Sequence, residues 1–310
     1  MSVVVTVPYY NESEAILETL KDISNQEFEA DKVIFVDSGS TDKTSDIINN
    51  WIITNNKKNF LNVFSGKMSP SSSINHAIKI SNEDIVAYID CGLSVPSNWL
   101  STSIKLLKTN NADMISTRIY TAGVNKVDRV FVSQTYGYKN LTICFPGSII
   151  KRSVFDKIGM LMPDARASYD TDFIQKFHSK HLKRQINTQV YIKYQDINYT
   201  DTFINGFKKV YSYSLNAWNA VGDIKPSLYI ITSFIILYLL INSHYAALGY
   251  LLIIYAMART IIIPLMKSTK SISLILSPSI IYILFAGFTI DMSRMFGYIT
   301  SFFMRFRITQ

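Results

Sequence analysis

At 310 residues, 48% hydrophobic and with a mean hydropathy of +0.15, the chain is too apolar to be one ordinary soluble domain. Its formal charge of +8 comes from scattered lysines and arginines without a nucleic-acid recognition motif, so the partner implied is a membrane surface and not DNA or RNA. Two cysteines without metal-ligand spacing, Cys91 and Cys144, exclude a disulfide framework and fit a cytoplasmic setting.

The amino terminus enters "SVVVTV", an apolar run that predicts a buried strand, without the basic-then-apolar pattern of a leader. "NESEAILETLKDIS" predicts a helix with Asn11 as N-cap and Glu14 completing a capping box. "KVIFV" is a second strand, and "STDKTSDIINNWI" a helix with Ile47, Ile48, Trp51 and Ile52 on one face. "LNVF" and "DIVAYI" are further strands, separated by a helix around Ser73 to Ile80. Strands alternating with helices predict a mainly parallel sheet covered on both faces. Asp37 follows "VIFV" and Asp90 follows "IVAYI", so both carboxylates emerge at the carboxyl ends of parallel strands, where open α/β sheets bind ligands. An Asx turn or a helix cap is the structural alternative for each.

The segments "VPYYNE", "VDSGSTDKT", the acid at Asp90 and "SYDTDF" occur in the order and spacing of the family 2 glycosyltransferases, and the stretch from about Val3 to Lys176 resembles that family. The resemblance implies a GT-A (Rossmann-like) α/β domain over residues 1–200. It implies that Pro8, Tyr10, Glu12, Asp37, Ser38, Lys67 and Asp90 border the nucleotide, with Tyr10 near the base, Glu12 near the ribose and Asp37 accepting from a uracil N–H. "SGK" at Ser65 to Lys67 and Asn75 resemble the family's Gly-Lys and Asn elements. "FPGSIIKRSVFDKIG" resembles its acceptor side, where the resemblance points to Gly147, Ser148, Arg152 and Arg166; without a metal, Lys67, Arg152 and Arg166 are the cations that would stabilise departing UDP. Asp170 matches the general base and Asp172 its companion acid, while Tyr169 stands where the family usually has Glu. The family's Asp-x-Asp is here Asp90-Cys91-Gly92, so Asp90 is the one carboxylate left to hold Mg²⁺ or Mn²⁺. Lys105 is the first cation after it, which leaves no local substitute for the metal charge. The processive synthases' Gln-x-x-Arg-Trp motif is absent from the sequence that follows.

Residues 201–225 predict an amphipathic interfacial helix with Phe203, Phe207, Val210, Tyr211, Leu215 and Trp218 on its apolar face. Residues 226–290 predict a transmembrane region of two or three hydrophobic segments, broken at "NSH" and "KSTKS", in which Arg259 faces protein or an interface. Residues 291–310, carrying Arg294, Arg305 and Arg307, predict a basic amphipathic tail. Three full spans would leave Arg305 and Arg307 outside, against the positive-inside tendency, so one segment is expected to be re-entrant or interfacial. The implied activity is inverting transfer of a sugar from a UDP-type nucleotide sugar to a polyprenyl-linked saccharide at the cytoplasmic membrane, catalytic domain inward. A lipid phosphate as acceptor and a non-enzymatic binding homologue are the rivals.

Overall fold

The computed structural model describes residues 1–194, 200–215 and 224–308, with side chains to residue 304; Trp218 and the side chains of Arg305 and Arg307 lie outside the described residues. The described residues form two compact units.

The first unit comprises residues 1–120 and 141–195. Its amino-terminal strands are β1 (Val3–Tyr9), β2 (Lys32–Asp37), β3 (Phe60–Phe64) and β4 (Ile85–Tyr88). β1 pairs in parallel with β2 and β4, and β2 with β3, so the crossovers between them are the helices α1 (Ile16–Ser24), α2 (Thr44–Thr54) and α3 (Pro70–Lys79). The remainder holds the short β5 (Leu93–Ser94), α4 (Trp99–Thr109), β6 (Met114–Thr121), β7 (Asn140–Lys151), α6 (Arg152–Ile158), α7 (Tyr169–Ser179) and β8 (Arg184–Tyr194). One sheet runs β3-β2-β1-β4-β7-β6-β8-β5. It is mixed, because β7 joins β4 antiparallel and β5 joins β8 antiparallel.

Strand alternation explains how both sheet faces are covered. Val3, Val5, Val7 and Phe35 point with Leu20, Ile48 and Trp99 into one core, while Val4, Ile34 and Val36 point with Ile74, Ile78 and Phe173 into the other. The predicted capping box does not form. Helix α1 begins at Ile16 with Ala15 as its N-cap, and Asn11, at φ 54°, turns its side-chain oxygen to the backbone N–H of Thr41 at 2.8 Å. The Asn side chain thus bridges two loops, a long-range contact that local spacing does not encode.

The second unit comprises residues 121–140 and 196–310, so a stretch expected inside residues 1–200 belongs with the carboxyl-terminal helices. Its helix α5 (Lys126–Thr135) buries Val130 and Phe131 against Val210, Leu274, Ile283 and Ile290. Helix α8 (Phe203–Ser214) corrects the interfacial expectation: Gly206 lies against the Phe131 ring, and Phe203 and Phe207 stack near Phe131 and Phe296. Its apolar face is covered by protein, which leaves Ile204 and Lys208 outward.

Helices α9 (Lys225–Ile241) and α10 (Tyr245–Met257) are joined at Asn242–His244; α10 runs through a π turn, Ala258–Ile262, into α11 (Ile263–Lys267). Both expose leucine and isoleucine on nearly every face, the pattern of a hairpin immersed in hydrocarbon. Tyr245–Lys267, 23 residues, is long and apolar enough to cross a membrane, whereas the 17 residues of α9 make about 25 Å against a core of about 30 Å. The expected third segment, Ile272 to Ile290, is not one helix: α12 (Ile272–Ile275) stops before Pro278, and α13 (Ile280–Ile308) continues unbroken through the expected separate tail. Residues Ile280–Met304 also meet the length and hydropathy of a span, yet Ile283, Ala286, Ile290 and Ser293 are buried against α5 and α8. Arg259 faces protein as expected. Its guanidinium donates to Asp291 at 2.6 Å and to Gln134 at 3.1 Å, and Gly287 provides the room, since a Cβ there would lie 2.8 Å from the arginine Cδ.

Candidate active site

The register of the parallel strands fixes where the chemistry converges. Tyr9 at the end of β1 lies opposite Asp37 at the end of β2, and Asp37 opposite Phe64 of β3. β4 stands on the other side of β1, with Thr6 opposite Tyr88. One carboxyl edge therefore carries Pro8 to Glu12, Asp37 to Asp42, Ser65 to Lys67 and Asp90.

Asp37 is buried and both turns and faces the edge: one of its oxygens accepts from the N–H groups of Gly39 and Ser40 at 3.1 and 2.8 Å. The Asx turn offered as a structural alternative is thus present, and the second oxygen is not used by it. Ser38 is buried and hydrogen-bonds Ser73 at 2.8 Å, so it ties the turn to α3. Gly39, at φ 92°, packs against the backbone of Lys67; a Cβ there would stand 3.3 Å from the Lys67 Cα. The Lys67 side chain is exposed, and Tyr10 is 52% exposed, free to cover a planar ligand. Tyr9 is core: its hydroxyl donates to Asn62 at 2.8 Å and burial pushes it up to about 12.

Glu12 and Asp90 are the perturbed acids. Burial, then the negative charges of Asp90 and Asp42, push Glu12 up to about 7. Burial pushes Asp90 up to about 6, the Tyr88 hydroxyl that donates to it lowers it, and the charge of Asp170 raises it. Asp170 stands in the first turn of α7, where one of its oxygens accepts from the Thr171 N–H at 2.8 Å. The loop leading to it is stapled to α3: Asn75 exchanges hydrogen bonds with Leu161 at 2.9 and 3.1 Å, and the Ser71 and Ser72 hydroxyls accept from the N–H groups of Ala165 and Asp164 at 3.0 Å. Tyr169 takes the place of the family's Glu and meets the Tyr88 hydroxyl at 3.2 Å, which links α7 to the strand that bears Asp90. Sequence reasoning missed this Tyr88–Asp90–Tyr169 connection. Its one signal was that "AYID" spaces Tyr88 and Asp90 two apart, on one face of an extended strand.

Asp172 is buried one turn into the site helix and forms an ion pair with Lys176 at 2.7 Å, so its charge is answered within α7. Gly147 and Ser148 are buried, and the Gly147 carbonyl accepts from Trp99 at 2.9 Å and Thr117 at 2.8 Å. Arg152 does not reach the edge. Because β7 runs antiparallel to β4, with Ile85 opposite Lys151, Arg152 arrives at the other end of the sheet, where its guanidinium donates to Glu83, Ile78 and Ser81 at 2.6 to 2.9 Å. Arg166 is exposed in the loop before α7.

One strand-end carboxylate is open to a divalent cation: Tyr88 donates to one Asp90 oxygen and leaves the other, and hard-oxygen donors suit Mg²⁺ or Mn²⁺. Among the described residues no three His, Cys, Asp or Glu side chains form a ready-made ligand set. Cys91 is no soft ligand, since burial pushes its thiol up to about 12. Gly92 is buried at φ 80°, so an aspartate there would carry left-handed strain and a buried charge.

The two raised acids give opposite pH responses for folding and for binding. In the ligand-free fold both hold protons that the unfolded chain, with ordinary carboxyls, releases; stability therefore rises as pH falls from about 7 towards 4.5. Cation binding needs the ionised forms. Its affinity should drop by about fourfold between pH 7.5 and 5.5 if Asp90 alone binds, and by about a hundredfold if Glu12 binds too. A Mn²⁺ titration that is flat across that range would remove both acids from the cation site.

The glycosyl transferase family 2 model matches residues 4–168, more than half of the chain. The chain belongs to glycosyl transferase family 2. The match spans the strands and loops that build the edge and ends just before Asp170. Among curated proteins, the chain is 29% identical over 117 residues to the cholesterol galactosyltransferase of Borreliella burgdorferi and 24% identical over 116 residues to the glycosyltransferase GlyG of Streptococcus pneumoniae. Each match takes in 37% of this chain and 32% and 38% of those proteins, so the chain spans about a third of the length of the curated relatives it matches. In three dimensions it is similar to a Pyrobaculum calidifontis mannosyltransferase solved with GDP-Man and Mn²⁺, at a TM-score of 0.56 and 19% identity over 93% of this chain and 86% of that one. The GT-A fold expected from the motifs is the fold found.

Proposed function

We propose that the chain is an inverting hexosyltransferase that moves a sugar from a UDP-linked donor to a hydroxyl of a polyprenyl-linked saccharide at the cytoplasmic face of the inner membrane. The observation that carries this reading is the convergence of Asp37, Asp90 and Asp170, from two strand ends and one helix start, on one sheet edge. In the reaction the acceptor oxygen forms a bond to the anomeric carbon, the bond from that carbon to the diphosphate oxygen breaks, and the hydroxyl proton passes to Asp170. Asp37 would accept from the base and Tyr10 would lie against it, while Asp90, with Glu12 beside it, would hold Mg²⁺ or Mn²⁺. A bound cation supplies positive charge to the departing diphosphate. Asp172, paired with Lys176, holds α7 and not the proton.

A base at Asp170 favours a hydroxyl acceptor over a lipid phosphate, which is already ionised. The similarity to a cholesterol galactosyltransferase supports a second reading within the same chemistry, in which the hydroxyl belongs to a membrane lipid itself. The exposed apolar hairpin 225–267 supports membrane association for either acceptor. The test is incubation of the purified chain with nucleotide sugars and two acceptor pools, polyprenyl-linked saccharides and sterol or glycerolipid alcohols. Release by mild acid of the transferred sugar still joined to the acceptor saccharide supports the reading, product from the second pool replaces the acceptor, and release of the transferred sugar as a monosaccharide identifies a bond to lipid phosphate and overturns it.

The donor assignment has its own test. Asp37→Ala should weaken UDP binding by about 1 to 3 kcal/mol through loss of a charge-assisted hydrogen bond, read by calorimetry. Unchanged affinity would move the base elsewhere.

A further inference from the structure

The first turn of α7 is not held by its own cap. Ser168, the residue before Tyr169, lies at φ 68°, in the left-handed region, and its side chain makes no capping hydrogen bond. A left-handed serine persists where neighbouring contacts over-determine the backbone. Here those contacts include the stapled loop and the Tyr169 side chain, whose ring meets Phe145 edge to face at 6.1 Å and whose hydroxyl meets that of Tyr88 at 3.2 Å.

The direction of the hydrogen bonds follows from counting protons. A phenol has one hydrogen to give, and an ionised carboxylate can only accept. Tyr88 gives its hydrogen to Asp90, so in the contact between the two phenols Tyr169 is the donor and the Tyr88 oxygen the acceptor. Tyr88 is buried, which removes bulk water as a competitor for either contact. The chain therefore runs from Tyr169 through Tyr88 to Asp90, and each donor polarises the next. A carboxylate at position 169 could not take this part, because it would compete with Asp90 for the Tyr88 hydrogen. Tyr169 directly precedes Asp170, so one turn of α7 carries both the start of the chain and the carboxylate proposed as base.

We propose that Tyr169 is a positioning residue for the cation carboxylate: through Tyr88 it fixes one Asp90 oxygen and leaves the other for the ion, and it ties that arrangement to the seat of Asp170. The role rests on the reading of Asp90 as the cation's ligand and goes beyond it, since Tyr169 acts through Tyr88 and not on the ion itself.

The experiment is a double-mutant cycle on Tyr169→Phe and Tyr88→Phe in the full chain, read as Mn²⁺ affinity by electron paramagnetic resonance with saturating UDP, a measurement that needs no sugar transfer. Phenylalanine keeps the ring against Phe145 and removes only the hydroxyl, and thermal unfolding checks that each variant is folded at the assay temperature. Tyr88→Phe, which removes the direct donor to the ligand, should weaken Mn²⁺ binding by about tenfold, and Tyr169→Phe, one bond further out, by about threefold. The double variant should bind as weakly as Tyr88→Phe alone, because the second hydroxyl acts only through the first. In turnover, Tyr169→Phe should raise the Mn²⁺ concentration for half activity by the same factor, which a packing role alone would not do. Wild-type Mn²⁺ affinity in Tyr169→Phe, or equal losses with and without the Tyr88 hydroxyl, would overturn the positioning role and leave the cation reading standing. If the wild-type chain with UDP binds no Mn²⁺, or Asp90→Ala binds it as well as wild type, the cation reading fails and the role of Tyr169 with it.

Discussion

Asp170→Asn should lower turnover by about two to four orders of magnitude while leaving UDP affinity within a factor of two or three. The amide keeps the size of the carboxylate and can still accept from the Thr171 N–H, so α7 and its loop stay in place. What is lost is the site for the acceptor proton, and the loss should appear in kcat with KM for the donor little changed. The change also removes a negative charge that raises Asp90, so Asp90 should titrate at lower pH in the variant. That second readout separates loss of the base from a collapsed site. Near-wild-type turnover in the Asn variant would remove Asp170 from the chemistry. Asp172→Asn makes the contrast: it breaks the pair with Lys176, whose partly exposed ammonium can turn to water, so its first effect should be a loss of stability of about 1 kcal/mol, with turnover less affected.

Chelation with EDTA should abolish transfer, Mg²⁺ or Mn²⁺ should restore it, and Asp90→Ala should lose the response to added metal. The physical reason is the balance of charge at the edge: Glu12, Asp90 and Asp170 lie close enough for the charge of Asp90 to act on Glu12 and that of Asp170 on Asp90, and Arg152 is committed to the opposite end of the sheet. A departing diphosphate needs a compensating charge, and the cations left near it by sequence, Lys67 and Arg166, are both solvent-exposed. Because Tyr88 donates to Asp90, Tyr88→Phe should alter the metal concentration for half activity more than kcat at saturating metal. Undiminished transfer in chelator would shift the leaving-group role to Lys67 and Arg166.

What the sequence alone determined is the part governed by local pattern. Fully apolar strands followed at once by an acid identified the ends of β2 and β4, and the period of the apolar residues placed α2 and α3, because a parallel sheet buried on both faces requires such strands. The apolar hairpin of α9 and α10 was legible for the same reason: helices that expose leucine and isoleucine on nearly every face are apolar without a 3.6-residue period. Tertiary structure decided the rest. Antiparallel pairing of β7 with β4 sends Arg152 to the far edge, a direction that a motif read along the chain does not carry. Asn11 bridges to Thr41 and does not cap α1, the apolar face of α8 is covered by α5 and α13, and residues 121–140 leave the first unit for the second. Each is a long-range pairing in which the gain from burying a side chain against a distant element exceeds a local propensity worth about 1 kcal/mol. The contact that joins Asp90, Tyr88 and Tyr169 is of the same kind: 81 residues separate its two phenols in the chain, and the strand order and the stapled loop before α7 bring them within 3.2 Å.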